Sequence, residues 1–79
     1  MTRDDILHKI RDILADVLDQ DDLVISGTTV ADEVEDWDSI NHVRLIVALE
    51  TSLGIAFETA EIGEVQNVDQ LIDLIQTKI

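Results

Sequence analysis

The chain of 79 residues has no cysteine, no proline, three glycines and only two aromatic residues of the Phe, Trp and Tyr class, Trp37 and Phe57. Without cysteine it forms neither disulfides nor thiolate metal sites. Its length predicts a single domain over residues 1–79. Such a domain has little room for a substrate cleft built from several loops, so we expect a protein that is not an enzyme. The dominant residues, Ile, Leu and Val, are spaced as in helices, which predicts an all-α fold.

Basic residues are also scarce: five Lys and Arg stand against eighteen Asp and Glu, for a formal charge of −13. Phosphate backbones and anionic membranes repel such a chain, so we expect no nucleic-acid binding. Natural partners would carry basic patches, and association with them would slow as salt screens charges beyond about 8 Å. The alternative is that the acidity only keeps a small protein soluble.

The sequence shows neither a signal-peptide h-region nor an apolar run of about 20 residues. We therefore expect a cytoplasmic protein that does not insert into membranes. We also expect a monomer. The acidic run at residues 19–22 invites a calcium interpretation, but an EF-hand loop needs glycine at its sixth position and glutamate at its twelfth. Counted from Asp19, those positions hold Val24 and Val30, so we predict no metal site. The alternative is loose binding of divalent ions to the acidic loop.

Apolar residues at spacings of three and four predict a first helix over Arg3–Leu18. Thr2 and Asp5 are spaced as a capping box at its start, with Asp in place of the usual Glu or Gln. Residues 19–38 form a long connection with no basic residue. Structureless loops of this length are uncommon in compact domains, so we expect apolar residues to anchor it to the core: Leu23, Val24, Ile25, Val30 and Val34.

Capping signals define the other helices. Asp38 is a good N-cap for a second helix from Ser39 to about Leu53, and Gly54 is a natural C-cap. The predicted fold is a small four-helix bundle, with three longer helices and a short third one.

The third and fourth helices carry weaker signals. A short helix is predicted within residues 58–64, with Thr59 as its cap. Asn67 and Gln70 are spaced as a capping box at the start of a last helix that ends near Lys78.

The second helix has two apolar arcs when residues advance by about 100° each. One arc, which also includes His42, holds Leu45, Ile46, Leu49 and Leu53. The other holds Ile40, Val43 and Val47. A helix facing one core needs one stripe, so the second arc predicts a docking surface. The alternative is a single wide core face that includes Val43 and Val47.

Ser39 falls at the first helical position, where the helix dipole favours an attached or bound phosphate. Asp38-Ser39-Ile40 and the apolar helix behind it resemble the Asp-Ser-Leu motif and second helix of acyl carrier proteins. The resemblance covers nearly the whole chain and is anchored at residues 37–50. In that family the serine is esterified with 4'-phosphopantetheine, whose terminal thiol carries an acyl chain as a thioester. Because this chain has no cysteine, it has no thiol of its own, and the thiol that a thioester carrier needs would come from the prosthetic group.

The resemblance implies an acyl carrier protein that shuttles acyl intermediates between enzymes. A phosphopantetheinyl transferase would modify Ser39, and Asp38 would help to present its magnesium besides capping the helix. Trp37 would flank the arm or touch the transferase; alternatively, it packs the loop against the helix start. Acyl chains would fold back into a pocket lined by Leu45, Ile46, Leu49, Ile62 and Leu71.

The second helix departs from the family pattern. Fatty-acid carriers usually have acidic residues where this chain has Asn41, Arg44 and Thr51. Arg44 should weaken docking on the basic patches of acyl-loading and acyl-transferring enzymes, since like charges at an interface can cost several kcal/mol. This predicts a specialised lipid or secondary-metabolite carrier, unless Arg44 merely pairs with Asp36 or another surface acid. The predicted partner-binding residues are Ile40, Val43, Arg44, Val47 and Glu50.

Other interpretations remain open. The chain could be a peptidyl or aminoacyl carrier, although those more often have His-Ser at the attachment site, or an unmodified acidic adaptor for a basic partner. His42 either lines the entrance of the acyl pocket or is a satisfied boundary residue. A hydrolytic triad of Ser39, His42 and an aspartate has no support, because the sequence shows neither a nucleophile elbow nor an oxyanion hole.

Overall fold

The computed structural model describes all 79 residues, in four α-helices and one 3-10 turn. The helices are α1 (Arg3–Leu18), α2 (Ser39–Leu53), α3 (Thr59–Glu64) and α4 (Val68–Gln76), and the 3-10 turn (Ala31–Glu33) lies between α1 and α2. The predicted all-α bundle of three longer helices and one short helix is therefore confirmed. None of these helices has the length and apolar character needed to cross a bilayer.

The start of α1 is the predicted capping box. The Thr2 hydroxyl accepts the Asp5 backbone N–H at 3.2 Å, and the Asp5 carboxylate accepts the Thr2 N–H at 3.0 Å. The bond from the Thr2 N–H stabilises the charged carboxylate and so lowers the pKa of Asp5. At the other end, Asp19 closes the helix in the left-handed conformation, with φ 55°.

The start of α3 corrects a prediction. Glu58 is the N-cap, and Thr59 is the first helical residue rather than the cap. The reason is the carboxylate of Glu61, which accepts the Glu58 backbone N–H at 2.9 Å and sets the helix start one residue earlier. Lys78 pairs with the same carboxylate at 2.9 Å and joins α3 to the C-terminal end of the chain.

One of the two hydrogen bonds of the predicted capping box forms at the start of α4. Asn67 Oδ1 accepts the Gln70 N–H at 2.9 Å. The Gln70 side chain, however, accepts the N–H of Gln66 at 2.8 Å, because it reaches one residue beyond the N-cap. The helix ends at Gln76, and a turn bond from the Lys78 N–H to a helical carbonyl completes its last turn near the predicted end.

The core lies where α1 packs against both α2 and α4. Its fourteen buried residues are all hydrophobic, and no charged or polar residue is buried with them. Burying each large aliphatic side chain contributes roughly 1.5–3 kcal/mol. The core is formed by the inner faces of the three longer helices together with Leu23 and Trp37 of the connection. Its most completely buried members are Ile6, Ile10, Leu14, Leu45, Leu49, Val68, Leu71 and Ile75.

Three of the five predicted apolar anchors of the long connection contact the core: Leu23 is buried in it, and Ile25 and Val34 pack against it. Val30 is half-buried but does not pack against the core. Val24 is wrong as an anchor, since it is 87% exposed. Leu23 and Ile25 both face inward, so the residue between them points outward, as in any extended stretch.

Polar side chains also hold the connection in place. The Arg11 guanidinium on α1 donates from Nε to the Leu23 carbonyl at 2.8 Å. Gln20 donates from Nε2 to the Glu35 carbonyl, also at 2.8 Å. Carbonyls left free by an irregular backbone thus find donors within the protein, and the segment that leads into α2 has a fixed path.

Candidate functional site

The start of α2 presents Ser39 as predicted. Asp38 is the N-cap, and its Oδ1 accepts the Asn41 backbone N–H at 2.9 Å. Ser39 is the first helical residue and is exposed. Its hydroxyl takes part in none of the side-chain hydrogen bonds of the structure. The oxygen is therefore accessible at the positive end of a 15-residue helix.

Asp36 forms the turn before α2. Asp36 has φ 68°, in the left-handed region that glycine enters freely. Aspartate tolerates this region better than most residues, so the turn keeps the conformation that a glycine would allow. The Asn41 side chain donates to the Asp36 carbonyl at 2.7 Å and fastens the turn to the helix. No sequence pattern signals this contact.

Trp37 packs the loop against α2. It is only 8% exposed, and its Nε1–H donates to Nδ1 of His42 at 3.2 Å. The two rings lie 6.0 Å apart at an angle of 32°. The structural alternative for Trp37 is therefore confirmed, while its burial gives no support to a contact with the arm or the transferase.

His42 is a half-buried boundary residue with a hydrogen-bond partner. The indole N–H can only donate, so Nδ1 must accept. Burial lowers the pKa of the imidazole, which is therefore neutral at pH 7 and carries its proton on Nε2. A triad is excluded by the same contact, since Nδ1 bonds to an indole where a triad needs a carboxylate.

The predicted acyl-pocket residues do not line an open pocket. Leu45, Ile46, Leu49 and Leu71 are at most 3% exposed in the core, and Ile62 packs against it half-buried. Leu71 borders a cavity, a space of about 30 Å³ beside Trp37 and His42. That volume suits one or two water molecules. An acyl chain would enter only if the helices moved apart, and the pocket stays a prediction.

The second apolar arc of α2 is exposed, as predicted. Ile40 is 67% exposed, Val43 59% and Val47 53%. The alternative of one wide core face is therefore wrong. With Arg44, which is also exposed, these residues form what we call the outer face of α2.

Arg44 has no acidic partner. Its only side-chain bond is a long one of 3.5 Å to the Asn41 amide oxygen, so the alternative of an ion pair with Asp36 or another surface acid is wrong. The other two arginines differ: Arg3 pairs with two aspartates of α4, and Arg11 with Asp12 at 3.2 Å. The outer face therefore combines apolar side chains with one unneutralised cation.

The Glu50 side chain makes its contact away from the outer face of α2. Its Oε2 accepts the Phe57 backbone N–H at 2.9 Å, and the residue is half-buried. This bond joins the end of α2 to the segment before α3. The carboxylate predicted to bind partners is therefore engaged within the protein, and it is not part of the surface defined above. No group of three or more His, Asp or Glu side chains is arranged to hold a metal ion.

The α2 N-terminus fits a phosphopantetheine arm. The Ser39 oxygen is exposed and carries no competing hydrogen bond, and the helix end favours the negative charge of a phosphodiester. A model of the phosphopantetheine attachment site family matches residues 8–75 of the chain.

Two acyl carrier proteins illustrate the similarity in sequence. One from Thermosynechococcus vestitus is 31% identical over 80 residues, which cover 100% of this chain and 98% of the relative. One from Petrotoga mobilis is 28% identical over 81 residues, which cover 100% of this chain and 93% of the relative.

Solved structures show the same similarity. The solution structure of holo acyl carrier protein from Geobacter metallireducens has a TM-score of 0.83 and 36% identity, covering 91% of this chain and 83% of that one. The crystal structure of an acyl carrier protein from Thermotoga maritima has a TM-score of 0.84 at 24% identity, covering 96% and 88%. The second likeness shows the shared fold.

Proposed function

The chain belongs to the acyl carrier protein family, whose prosthetic group is 4'-phosphopantetheine, and we propose that Ser39 carries this arm. The observation that supports this most strongly is the exposed, unbonded hydroxyl of Ser39 at the start of α2. When bound, the arm supplies the terminal thiol on which acyl groups travel as thioesters. Residues 1–79 then act as one carrier domain that serves other enzymes.

In this proposal Asp38 has two roles. Its Oδ1 caps α2 through the Asn41 N–H, while Oδ2 takes part in no hydrogen bond and the residue is exposed. The free oxygen would face the magnesium of the phosphopantetheinyl transferase while that enzyme activates Ser39. The cap would at the same time keep the serine at the first position of the helix.

The outer face of α2 would choose partner enzymes. Its apolar side chains are exposed to water, and burying them against a partner would be favourable. Arg44 adds a positive charge that no acid of the chain neutralises. A fitting partner would present an apolar surface with a carboxylate opposite Arg44. Basic patches would meet the acidic connection but not this face, because a like charge there can cost several kcal/mol. We infer a specialised lipid or secondary-metabolite pathway.

The attachment is tested by intact mass after incubation with coenzyme A, magnesium and a broad-specificity phosphopantetheinyl transferase. The parent protein should gain one phosphopantetheine, and Ser39→Ala should gain none. Ser52→Ala is the matched control, since Ser52 is an exposed serine on the same helix, and it should be modified like the parent. A folded parent that gains nothing with several transferases would favour the unmodified adaptor.

The role of Arg44 is tested with an acyl-loading enzyme of ordinary fatty-acid synthesis. Arg44→Glu should raise kcat/KM about tenfold or more at low salt, a change of about 1.4 kcal/mol, and Arg44→Gln should lie between parent and Arg44→Glu. Equal values for all three proteins would remove the argument for a specialised pathway. Comparing fatty acids with amino acids as cargo separates an acyl carrier from an aminoacyl carrier.

We further propose that the protein is a cytoplasmic monomer, that its partner enzymes carry basic patches, and that an acyl pocket forms when the helices separate.

A further inference from the structure

One polar group beside Ser39 has no partner in the protein. Trp37 occupies Nδ1 of His42, which leaves Nε2–H as a donor. This N–H forms none of the hydrogen bonds of the structure. It also reaches solvent, because no fully buried side-chain nitrogen or oxygen lacks a partner. A half-buried donor is therefore available near the start of α2.

His42 lies one helical turn after Ser39 on α2. Residues three apart on a helix are neighbours, with Cβ atoms about 5–6 Å from each other. Long side chains on a helix point back over the preceding turn. The contact with Trp37, which precedes the helix, shows this direction for His42. The imidazole thus lies along the turn that begins with Ser39.

We propose that His42 Nε2–H donates a hydrogen bond to a phosphodiester oxygen of the arm, and that this bond sets the direction in which the arm leaves α2. The inference rests on the proposed attachment at Ser39. The phosphodiester is the segment that the covalent bond places next to the helix. Hydrogen bonds to charged acceptors are roughly twice as strong as neutral ones.

Trp37 acts here as a positioning residue. Its donation to Nδ1 keeps the imidazole proton on Nε2 and fixes the ring plane. Without that bond the two tautomers would interchange, and the ring would lose its fixed orientation. The buried tryptophan would then serve the arm indirectly, by holding the side chain that touches it.

Attachment of the arm should change the pKa of His42. Burial alone lowers the pKa of the imidazole, with no contribution from nearby charges. An attached phosphodiester would add an anionic acceptor and favour the protonated ring. The charged residues on the surrounding elements are Glu35, Asp36 and Asp38 before α2, Asp32 and Glu33 in the 3-10 turn, Asp69 and Asp73 on α4, and Arg44 and Glu50 on α2 itself.

Nuclear magnetic resonance of the histidine rings tests the proposal. The apo and holo forms of the full chain are compared, with intact mass confirming the arm. The titration midpoint of His42 should rise by about one pH unit on attachment. His8, which is exposed on α1, is an internal reference and should not move. The Nε2–H signal of His42 should be protected from exchange only in the holo form.

Two additional measurements separate a hydrogen bond from simple attraction between charges. Added salt should reduce a purely long-range effect but leave most of a direct bond. Trp37→Phe should remove the protection of the Nε2–H signal in the holo form, because the indole donor no longer keeps the imidazole proton on Nε2. A holo protein with the same His42 titration as the apo protein would overturn the inference. Failure to attach any arm, shown by mass, would overturn the proposed function and this inference together.

Discussion

Replacing Asp38 with alanine should destabilise the protein by about 1 kcal/mol. The Asp38 carboxylate accepts the Asn41 N–H at 2.9 Å, and alanine would leave that N–H at the helix start without a partner in the protein. A domain of this size has a net stability of about 3–5 kcal/mol, so the loss is a substantial part of the total. In a chain of this length, 1 kcal/mol corresponds to a fall in Tm of about 4–8 °C.

Asp38→Asn is the matched control. Asparagine caps helices about as well as aspartate, and both substitutions remove the same negative charge. The difference in Tm between the two variants therefore reports the cap alone. Circular dichroism on the apo proteins is sufficient for the measurement. Equal Tm values for the alanine and asparagine variants would refute the capping argument.

The same pair separates the two roles proposed for Asp38. Asp38→Asn keeps the helix start but removes the carboxylate proposed to face magnesium. We expect it to remain folded and to be modified more slowly by the transferase. Modification at the parental rate would restrict Asp38 to its structural role.

The remaining predictions concern stability. Leu49→Ala should lower the free energy of unfolding by about 2–5 kcal/mol, since Leu49 is fully buried. Val47→Ala on the outer face should change it by less than about 0.5 kcal/mol. Urea unfolding compares the two variants, and similar losses would contradict the assigned faces. Gly54→Ala should destabilise by about 1 kcal/mol, because Gly54 has φ 65°, and Gly63→Ala in α3 is the control that should not. Burial makes the pKa of His42 lower in the folded protein than its value near 6.5 in the unfolded chain. At pH values between the two, the unfolded chain binds more protons at His42 than the folded protein does. Stability should therefore fall as pH drops below about 6.5, and His42→Gln should lose that part of the dependence; an unchanged slope would refute this assignment.

The sequence predicted the features that depend on neighbouring residues. Thr2 and Asp5 form the expected box, Asp38 and Gly54 are the caps of α2, and both arcs of that helix face where their spacing indicated. Each of these follows from contacts within one or two helical turns. Local chemistry is sufficient for them, because the partners have fixed spacings along the chain.

Contacts that depend on the path of the long connection were not predictable. Trp37 reaches His42 and Asn41 reaches Asp36 across a turn before α2 that contains a left-handed residue. The bond of Glu50 to the segment after α2 likewise has no periodic signal. These contacts decide whether a side chain is free to meet a partner, and spacing along the sequence does not reveal them.

Fragmentation mass spectrometry of the intact protein, purified from its own cells, tests the central claim most directly. The account predicts that one phosphopantetheine, with or without an acyl group, lies between the fragments that end at Asp38 and those that begin at Ile40. The acyl mass would at the same time identify the cargo. A protein unmodified under all growth conditions, or an arm on any residue other than Ser39, would contradict the account.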